Sequence, residues 1–128
     1  MGAYTALKVS EQVPVKALIF LVPAMYDQDA YTIHFGPQFT EIIRKPKSWY
    51  HSDAWDVLAK FSGKLLVVAG KNDNVVPQEL TEKIYDVATR ATRREIYWTN
   101  SSHALGDFIR DHADDREKIV SMIAEFCK

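Results

Sequence analysis

Apolar and polar positions follow two different patterns along this chain, and each pattern predicts a different kind of element. Nearly continuous apolar runs cover residues 15–22 and 64–69, and a third run rich in strand-forming residues covers 94–99. Apolar runs without regular polar alternation are typical of strands whose sheet is covered on both faces, as in parallel sheets. The pattern therefore predicts three strands in a mostly parallel sheet.

Helical spacing separates and flanks these runs. Apolar residues recur at steps of three and four in residues 3–11, in 53–61, behind Pro77 and near the end of the chain. Gly63, after the second of these segments, suits a left-handed helix cap. Four to five helices on about three strands predict an α/β fold with three α/β/α layers. The positions that carry the spacing are Ala3, Ala6, Leu7, Ser10, Trp55, Leu58, Ala59, Leu80, Ile84, Val87, Ala88, Ile119, Met122, Ile123 and Phe126.

Residues 23–51 interrupt this alternation. They contain Pro37, Pro46 and scattered aromatic residues, and they predict an irregular segment with one short helix near 37–43. A long connection after a parallel strand is a common place for ligands in α/β proteins. The segment is therefore either a lid or aromatic binding wall, or a surface excursion whose aromatics pack on the sheet. As a binding wall it would offer Tyr26, Trp49 and Tyr50 as substrate-binding residues.

Length and composition fit one globular domain. The chain has 128 residues, of which 47% are hydrophobic and 26% charged, and its formal net charge is -1. We therefore expect residues 1–128 to form a single partial domain with three parts: 1–22, 23–51 and 52–128. The charge balance favours neither nucleic acid nor a membrane surface as a partner. Arg90, Arg93 and Arg94, taken as the only dense basic cluster, are interpreted as a solvated helix end.

Cysteine usage and hydropathy favour a cytoplasmic location. Cys127 is the only cysteine, so the chain has no internal disulfide and no thiolate zinc site. The most apolar stretch, residues 13–22, is shorter than the ~20 residues that span a bilayer. No basic and apolar leader is visible at the N-terminus. No glycine-rich phosphate loop, metal motif or flavin fingerprint occurs, so no cofactor is expected.

Two polar motifs follow the second and third predicted strands. Asp73 comes three residues after Gly70, and His103 follows thirty residues later in a Ser-Ser-His-Ala loop. Parallel strands place their carboxyl ends at one edge of the sheet, so these side chains can meet. An aspartate that accepts the Nδ1 proton of a histidine is the acid–base half of a Ser-His-Asp triad. Taken singly, Asp73 could be only a turn or helix-capping residue and His103 only a polar loop residue.

In their order and setting, these motifs resemble the C-terminal half of an α/β-hydrolase domain over nearly the whole chain. The resemblance rests on an apolar strand ending in Leu21-Val22-Pro23, on Gly70, Asp73, Val76 and Pro77 after the next strand, and on His103 after the last. It implies a serine hydrolase of esterase, lipase or peptidase type acting on a small-molecule ester or other acyl substrate, with Asp73 as the carboxylate of the catalytic triad and His103 as its base.

The nucleophilic serine of that family is the missing part. Met1-Gly2-Ala3-Tyr4 resembles the end of a Gly-x-Ser-x-Gly elbow, with Met1 at the position whose N–H helps form the oxyanion hole. We therefore expect a longer parent protein whose serine precedes Met1. The serines within the chain, which are Ser10, Ser48, Ser52, Ser62, Ser101 and Ser102, lack the elbow pattern or lie too close to His103. The 128 residues alone are expected not to hydrolyse esters at an enzyme-like rate, which leaves open whether they form an enzyme.

The alternative interpretation is a non-catalytic α/β module that self-associates. An apolar strand at 15–22 would form an exposed sheet edge, and such edges invite pairing with a second copy. Metal binding is not expected: His34 and His51 have no partner at ligand spacing, and Asp111, Asp114 and Asp115 beside His112 are better explained as helix-capping acids. Asp107 could reach the histidine loop, but it is interpreted as capping the turn after His103.

Overall fold

Three parallel strands form one open sheet in the computed structural model, which describes residues 1–128. The strands are β1 (Ala17–Leu21), β2 (Lys64–Gly70) and β3 (Arg93–Thr99), and their order across the sheet is β1-β2-β3. Ile19 pairs with Leu66 in β2, and Leu66 pairs with Glu95 in β3. The predicted parallel sheet of three strands is confirmed, with β2 in its centre.

Six α-helices surround the sheet, whereas the sequence predicts four or five. Two short 3-10 helices, Gln28–Thr32 and Ser48–His51, lie in the long connection after β1. The α-helices are α1 (Gly2–Ser10), α2 (Pro37–Arg44), α3 (Ala54–Lys60), α4 (Gln78–Val87), α5 (Leu105–Asp111) and α6 (Ala113–Cys127).

Separate apolar clusters cover the two faces of the sheet and create the three layers. On one face, Leu18, Leu65 and Val67 pack with buried residues of α1, α3 and α4. On the other face, Leu66 and Val68 pack with buried residues of α5 and α6. Adjacent residues of a strand point to opposite faces, so the continuous apolar run of β2 supplies both clusters.

Two details of the helices differ from prediction. Helix α5 was expected to be only a turn, because its seven residues bury a single apolar side chain, Leu105, and so carry no helical period. The prediction of a left-handed cap at Gly63 is wrong, because no glycine has a positive φ. Gly63 instead allows close packing: a Cβ there would lie 2.6 Å from the Lys16 carbonyl oxygen. None of the helices is both long and apolar enough to cross a bilayer.

Candidate active site

Asp73 lies in the turn that follows β2. Its Oδ1 accepts hydrogen bonds from the backbone N–H groups of Val75 and Val76, at 2.8 and 2.9 Å. Asp73 therefore has the turn-stabilising role that the sequence analysis gave as its alternative role. The two amides occupy only one carboxylate oxygen, so the turn also fixes the direction in which Oδ2 points.

His103 lies in the loop after β3, and its imidazole meets that second oxygen. Nδ1 of His103 is 2.9 Å from Oδ2 of Asp73. The Asp73 side chain is only 3% exposed, whereas the His103 side chain is 41% exposed. A buried carboxylate therefore holds one ring nitrogen, and the rest of the imidazole reaches the surface. The structure brings together the two residues that the sequence proposed as a pair.

A buried hydroxyl pair anchors the start of the histidine loop. The side-chain oxygens of Thr99 and Ser101 are 2.7 Å apart, and the Thr99 hydroxyl is 3.2 Å from the carbonyl oxygen of Ala69, which accepts its hydrogen bond. Backbone contacts add to this anchor, because Asn72 donates its N–H to the Ser101 carbonyl oxygen at 3.1 Å. The loops that carry Asp73 and His103 are thus hydrogen-bonded to each other, which holds the two side chains close together.

Gly70 lets the two loops approach this closely. A Cβ at this position would fall 2.8 Å from the Ser101 hydroxyl oxygen and 2.9 Å from the Ser102 carbonyl oxygen. Backbone atoms cannot give way as the end of a flexible side chain can. The glycine before the acid turn is therefore required by the contact with the histidine loop.

A groove of about 660 Å³ opens beside the imidazole, and we refer to it as the His103 groove. Met1, Tyr26 and Trp49 line it together with His103. Burial raises the pKa of the Tyr26 phenol further above physiological pH, at which a tyrosine is already neutral. Three of the residues that the sequence singled out thus share one cavity with the histidine.

Tyr50 does not line the His103 groove, although the sequence placed it with Trp49. Its ring stacks on Trp49 with centroids 4.5 Å apart, and its hydroxyl donates to Glu79 of α4 at 3.1 Å. The Lys83 ammonium, also on α4, lies 5.2 Å from the Tyr50 ring and 4.4 Å from the Trp55 ring. Tyr50 therefore ties the long connection to α4, as expected for packing aromatics.

Strained backbone occurs at two non-glycine residues, and both line the His103 groove. Val22, directly after β1, has a φ of 44°, and Lys47, before the second 3-10 helix, has a φ of 55°. A β-branched residue in the left-handed region is a genuine outlier, and such strain is concentrated at functional sites. Two residues of the groove wall therefore have backbone conformations that cost free energy.

The remaining candidate residues lie apart from this site. His34 and His51 are exposed, and Nδ1 of His112 lies 2.8 Å from the Phe108 carbonyl oxygen. Asp107 accepts from Arg110 at 2.9 Å rather than approaching His103. No three histidine, cysteine or acidic side chains converge where they could hold a metal ion.

Sequence reasoning missed one feature of the groove. Arg44, Lys45 and Lys47 line it, although Arg90, Arg93 and Arg94 had been taken as the only dense basic cluster. That description of the sequence was wrong. The available signal was three cations within four residues, in a segment already proposed as a binding wall.

The chain matches no protein-family model and no curated protein. The fold class and the geometry at Asp73 and His103 therefore rest on the structure alone.

Proposed function

We propose that this chain supplies the acid and the base of a Ser-His-Asp hydrolase that cleaves an ester or other acyl bond. One observation carries the proposal: the 2.9 Å contact between His103 Nδ1 and Asp73 Oδ2. It lies at the carboxyl edge of β2 and β3, where α/β proteins place their ligands. The resemblance of the motifs to α/β-hydrolases supports the same reaction class.

In this proposal, His103 acts through its other ring nitrogen. Asp73 accepts the Nδ1 proton, so the Nε2 lone pair is free to take the proton of a serine hydroxyl as that oxygen attacks the acyl carbon. Asp73 also stabilises the imidazolium that forms, because its charge is nearly buried. The imidazolium then returns the proton to the leaving group as the bond to that group breaks.

The serine is proposed to be the residue that precedes Met1 in a longer parent protein. Met1 shares the His103 groove with the base, so a residue joined to its nitrogen would stand at that groove. Met1 is also the N-cap of α1, and a helix N-terminus favours developing negative charge. Its N–H would therefore contribute to the oxyanion hole.

The serines within the chain are poor substitutes. Ser48 lines the His103 groove, but it is buried and its hydroxyl donates to the Ile43 carbonyl oxygen at 3.3 Å. Ser101 is buried and its hydroxyl is engaged by Thr99, while Ser102 lies next to His103 in the backbone. Ser10 donates its hydroxyl to the Leu7 carbonyl oxygen at 2.6 Å. We therefore expect a serine-directed fluorophosphonate probe to leave the 128-residue chain unlabelled.

Adding the missing residue tests the proposal. One serine would be placed directly ahead of Met1, and fluorophosphonate labelling would be compared with and without His103→Ala. We expect the serine chain to label about tenfold faster than its His103→Ala version, since general-base catalysis is worth about 10²–10⁴-fold in an intact site. His34→Ala, which removes an exposed histidine elsewhere, is the matched control and should leave the rate unchanged.

Three results would count against the proposal. Labelling of the 128-residue chain itself would mean that a nucleophile lies within it. Equal labelling with and without His103 would mean that the histidine is not the base. A folded serine chain that does not label would mean that the residue before Met1 is not placed for attack.

A non-catalytic, self-associating module is the second candidate function, and the sheet edge favours it. Strand β1 pairs with β2 on one side and has no strand on the other. Leu21, at its end, is 48% exposed. An open apolar edge of this kind is a template for pairing with another strand, including the same strand of a second copy.

A further inference from the structure

One part of the His103 groove wall is basic. Arg44 ends α2, Lys45 follows it, and Lys47 precedes the second 3-10 helix. All three are exposed, and none forms an ion pair with an acidic side chain of this chain. Lys47 reaches the Tyr50 hydroxyl only at 3.5 Å, so the charge of all three cations is left without an acidic partner.

The groove is locally positive although the chain as a whole is not. Its lining contains three cations and one acid, Glu79, whereas the whole chain has a formal charge of -1. Glu79 Oε1 already accepts a hydrogen bond from Tyr50. Cations gathered in a concave site focus their field on what enters it. The local excess of charge thus favours a negatively charged ligand.

In the other basic cluster, Arg93 and Arg94 have partners within the protein. Arg93 contacts Glu95 at 2.6 Å and Glu125 at 3.3 Å. Arg94 donates to the carbonyl oxygens of Tyr85 and Asp86 at the end of α4. By contrast, the cations of the groove have no acidic partner, and the one side-chain hydrogen bond among them is the 3.5 Å approach of the Lys47 ammonium to the Tyr50 hydroxyl oxygen.

Backbone strain at Lys47 is a separate observation that points to the same wall. The residue follows Pro46 and takes a φ of 55°, a left-handed conformation that is unfavourable for a non-glycine residue. An unstrained surface loop would place a lysine at no such cost. Lys47 thus holds this unfavourable conformation at a position where it lines the groove together with Arg44.

We propose that the His103 groove binds a substrate with an anionic oxygen group, a carboxylate or a phosphate, which contacts Arg44, Lys45 and Lys47. This inference rests on the proposed function and adds the substrate class: an ester or acyl compound that carries a negative charge away from the reacting carbonyl. Arginine and lysine both recognise such groups through charge-assisted hydrogen bonds.

Binding to the 128-residue chain tests this without any reaction. The probes are phenylacetate and phenyl phosphate, with phenylacetamide as the neutral analogue, and binding is followed by ¹⁵N–¹H NMR at low and high salt. We expect the anions to shift the Trp49 indole and groove amides, to bind about tenfold more tightly than the amide, and to weaken as salt rises. The stronger of the two anions identifies the group.

Two triple variants show whether the groove cations are responsible. Replacing Arg44, Lys45 and Lys47 by glutamine should weaken anion binding about tenfold or more and leave phenylacetamide unaffected. The control replaces Arg90, Lys118 and Lys128, which are exposed and unpaired, by glutamine and removes the same charge. It should bind the anions as the unaltered chain does.

The outcomes separate this inference from the proposed function. Equal affinity for anions and amide, or equal weakening in both triple variants, would overturn the inference. His103→Ala should still bind the anions, because the basic wall does not depend on the imidazole. Retained anion binding with failed serine labelling would therefore reject the reaction but keep the anion site, and the reverse result would reject only the anion site.

Discussion

At the scale of single residues, the candidate site depends on how Asp73 divides its two oxygens. Oδ1 is held by two backbone amides, and Oδ2 faces His103. The turn therefore positions the carboxylate before the histidine contributes anything. A residue that looked like either a turn former or a catalytic acid has the geometry for both.

Gly70 offers a residue-scale prediction. In Gly70→Ala, the new Cβ would overlap backbone atoms of Ser101 and Ser102, so the histidine loop must move. We expect the free energy of unfolding to fall by about 1–3 kcal/mol, the usual cost of overpacking, and the His103 resonances to shift. Urea unfolding and NMR measure these two effects.

Gly106→Ala is the matched control. Gly106 lies in α5 and a Cβ there would meet nothing within 4 Å, so the substitution should stabilise the helix by about 0.5–1 kcal/mol or leave stability unchanged. An unaltered stability and an unmoved His103 in Gly70→Ala would show that the close contact between the loops is not required.

At the scale of elements, a polar cluster joins α1 to the start of α3. Asp53 accepts hydrogen bonds from the Tyr4 hydroxyl at 2.5 Å and from Lys8 at 2.8 Å. Partial burial alone would raise the pKa of the Asp53 carboxyl, but these two donors outweigh it and the pKa lies below its ordinary value of 3.8. The pKa of the Tyr4 phenol is shifted in the other direction, because burial and the hydrogen bond to Asp53 both raise it.

This cluster predicts a pH dependence of stability. Because the folded pKa of Asp53 is lowered, its contribution is present above pH 3.8 and is lost as the pH falls through the folded value. We expect Asp53→Asn to cost about 1–2 kcal/mol at pH 7, where a charged hydrogen bond is lost. The difference from the unaltered chain should shrink below pH 3.8 when urea unfolding is followed across pH.

Asp56→Asn provides the comparison on the same helix, since Asp56 is exposed and makes no side-chain hydrogen bond. It should cost only a few tenths of a kcal/mol at any pH, the ordinary effect of an exposed charge in the first turn. An Asp53→Asn chain whose stability loss is the same at acid and neutral pH would contradict the assigned pKa shift.

Local patterns predicted most elements, and the misses have physical causes. Strands β1 to β3 and four helices were predictable because their apolar positions repeat with a clear period. Helix α5 was not, because it contains Gly106 and buries only Leu105. Asp73 and His103 were predictable as neighbours because parallel strands end at one edge.

The groove was harder to predict because it depends on contacts distant in sequence. Whether a cation is free is decided by which acids the fold brings near it. Arg93 forms an ion pair with Glu125, which is distant in sequence, whereas Lys47 forms no ion pair. Tyr50 likewise does not line the groove, because its ring packs under the Lys83 ammonium and its hydroxyl donates to Glu79, both on α4.

At the scale of the whole molecule, the open edge at β1 predicts self-association. We expect a sedimentation coefficient that rises with protein concentration, since no strand pairs with the outer side of β1. Leu21→Lys should suppress this rise, because charged side chains protect edge strands. A monomer at every concentration would remove the case for a homodimer.

Val120→Lys serves as the control for that experiment. Val120 is a similarly exposed apolar residue, but it lies on α6 rather than on the sheet edge. Its substitution should leave the concentration dependence unchanged. Suppression by both variants would indicate general hydrophobic association and not pairing of strands.

The most direct test of the Asp73–His103 assignment is the tautomer of His103, read from ¹⁵N–¹H NMR of the imidazole in the unaltered chain and in Asp73→Asn. The account predicts a proton on Nδ1 in the unaltered chain. In the variant, Val75 and Val76 should retain the side-chain carbonyl oxygen, so the new amide would face Nδ1 and move the proton to Nε2. A proton on Nε2 in the unaltered chain, or the same tautomer in both, would contradict the role of His103 as a base oriented by Asp73.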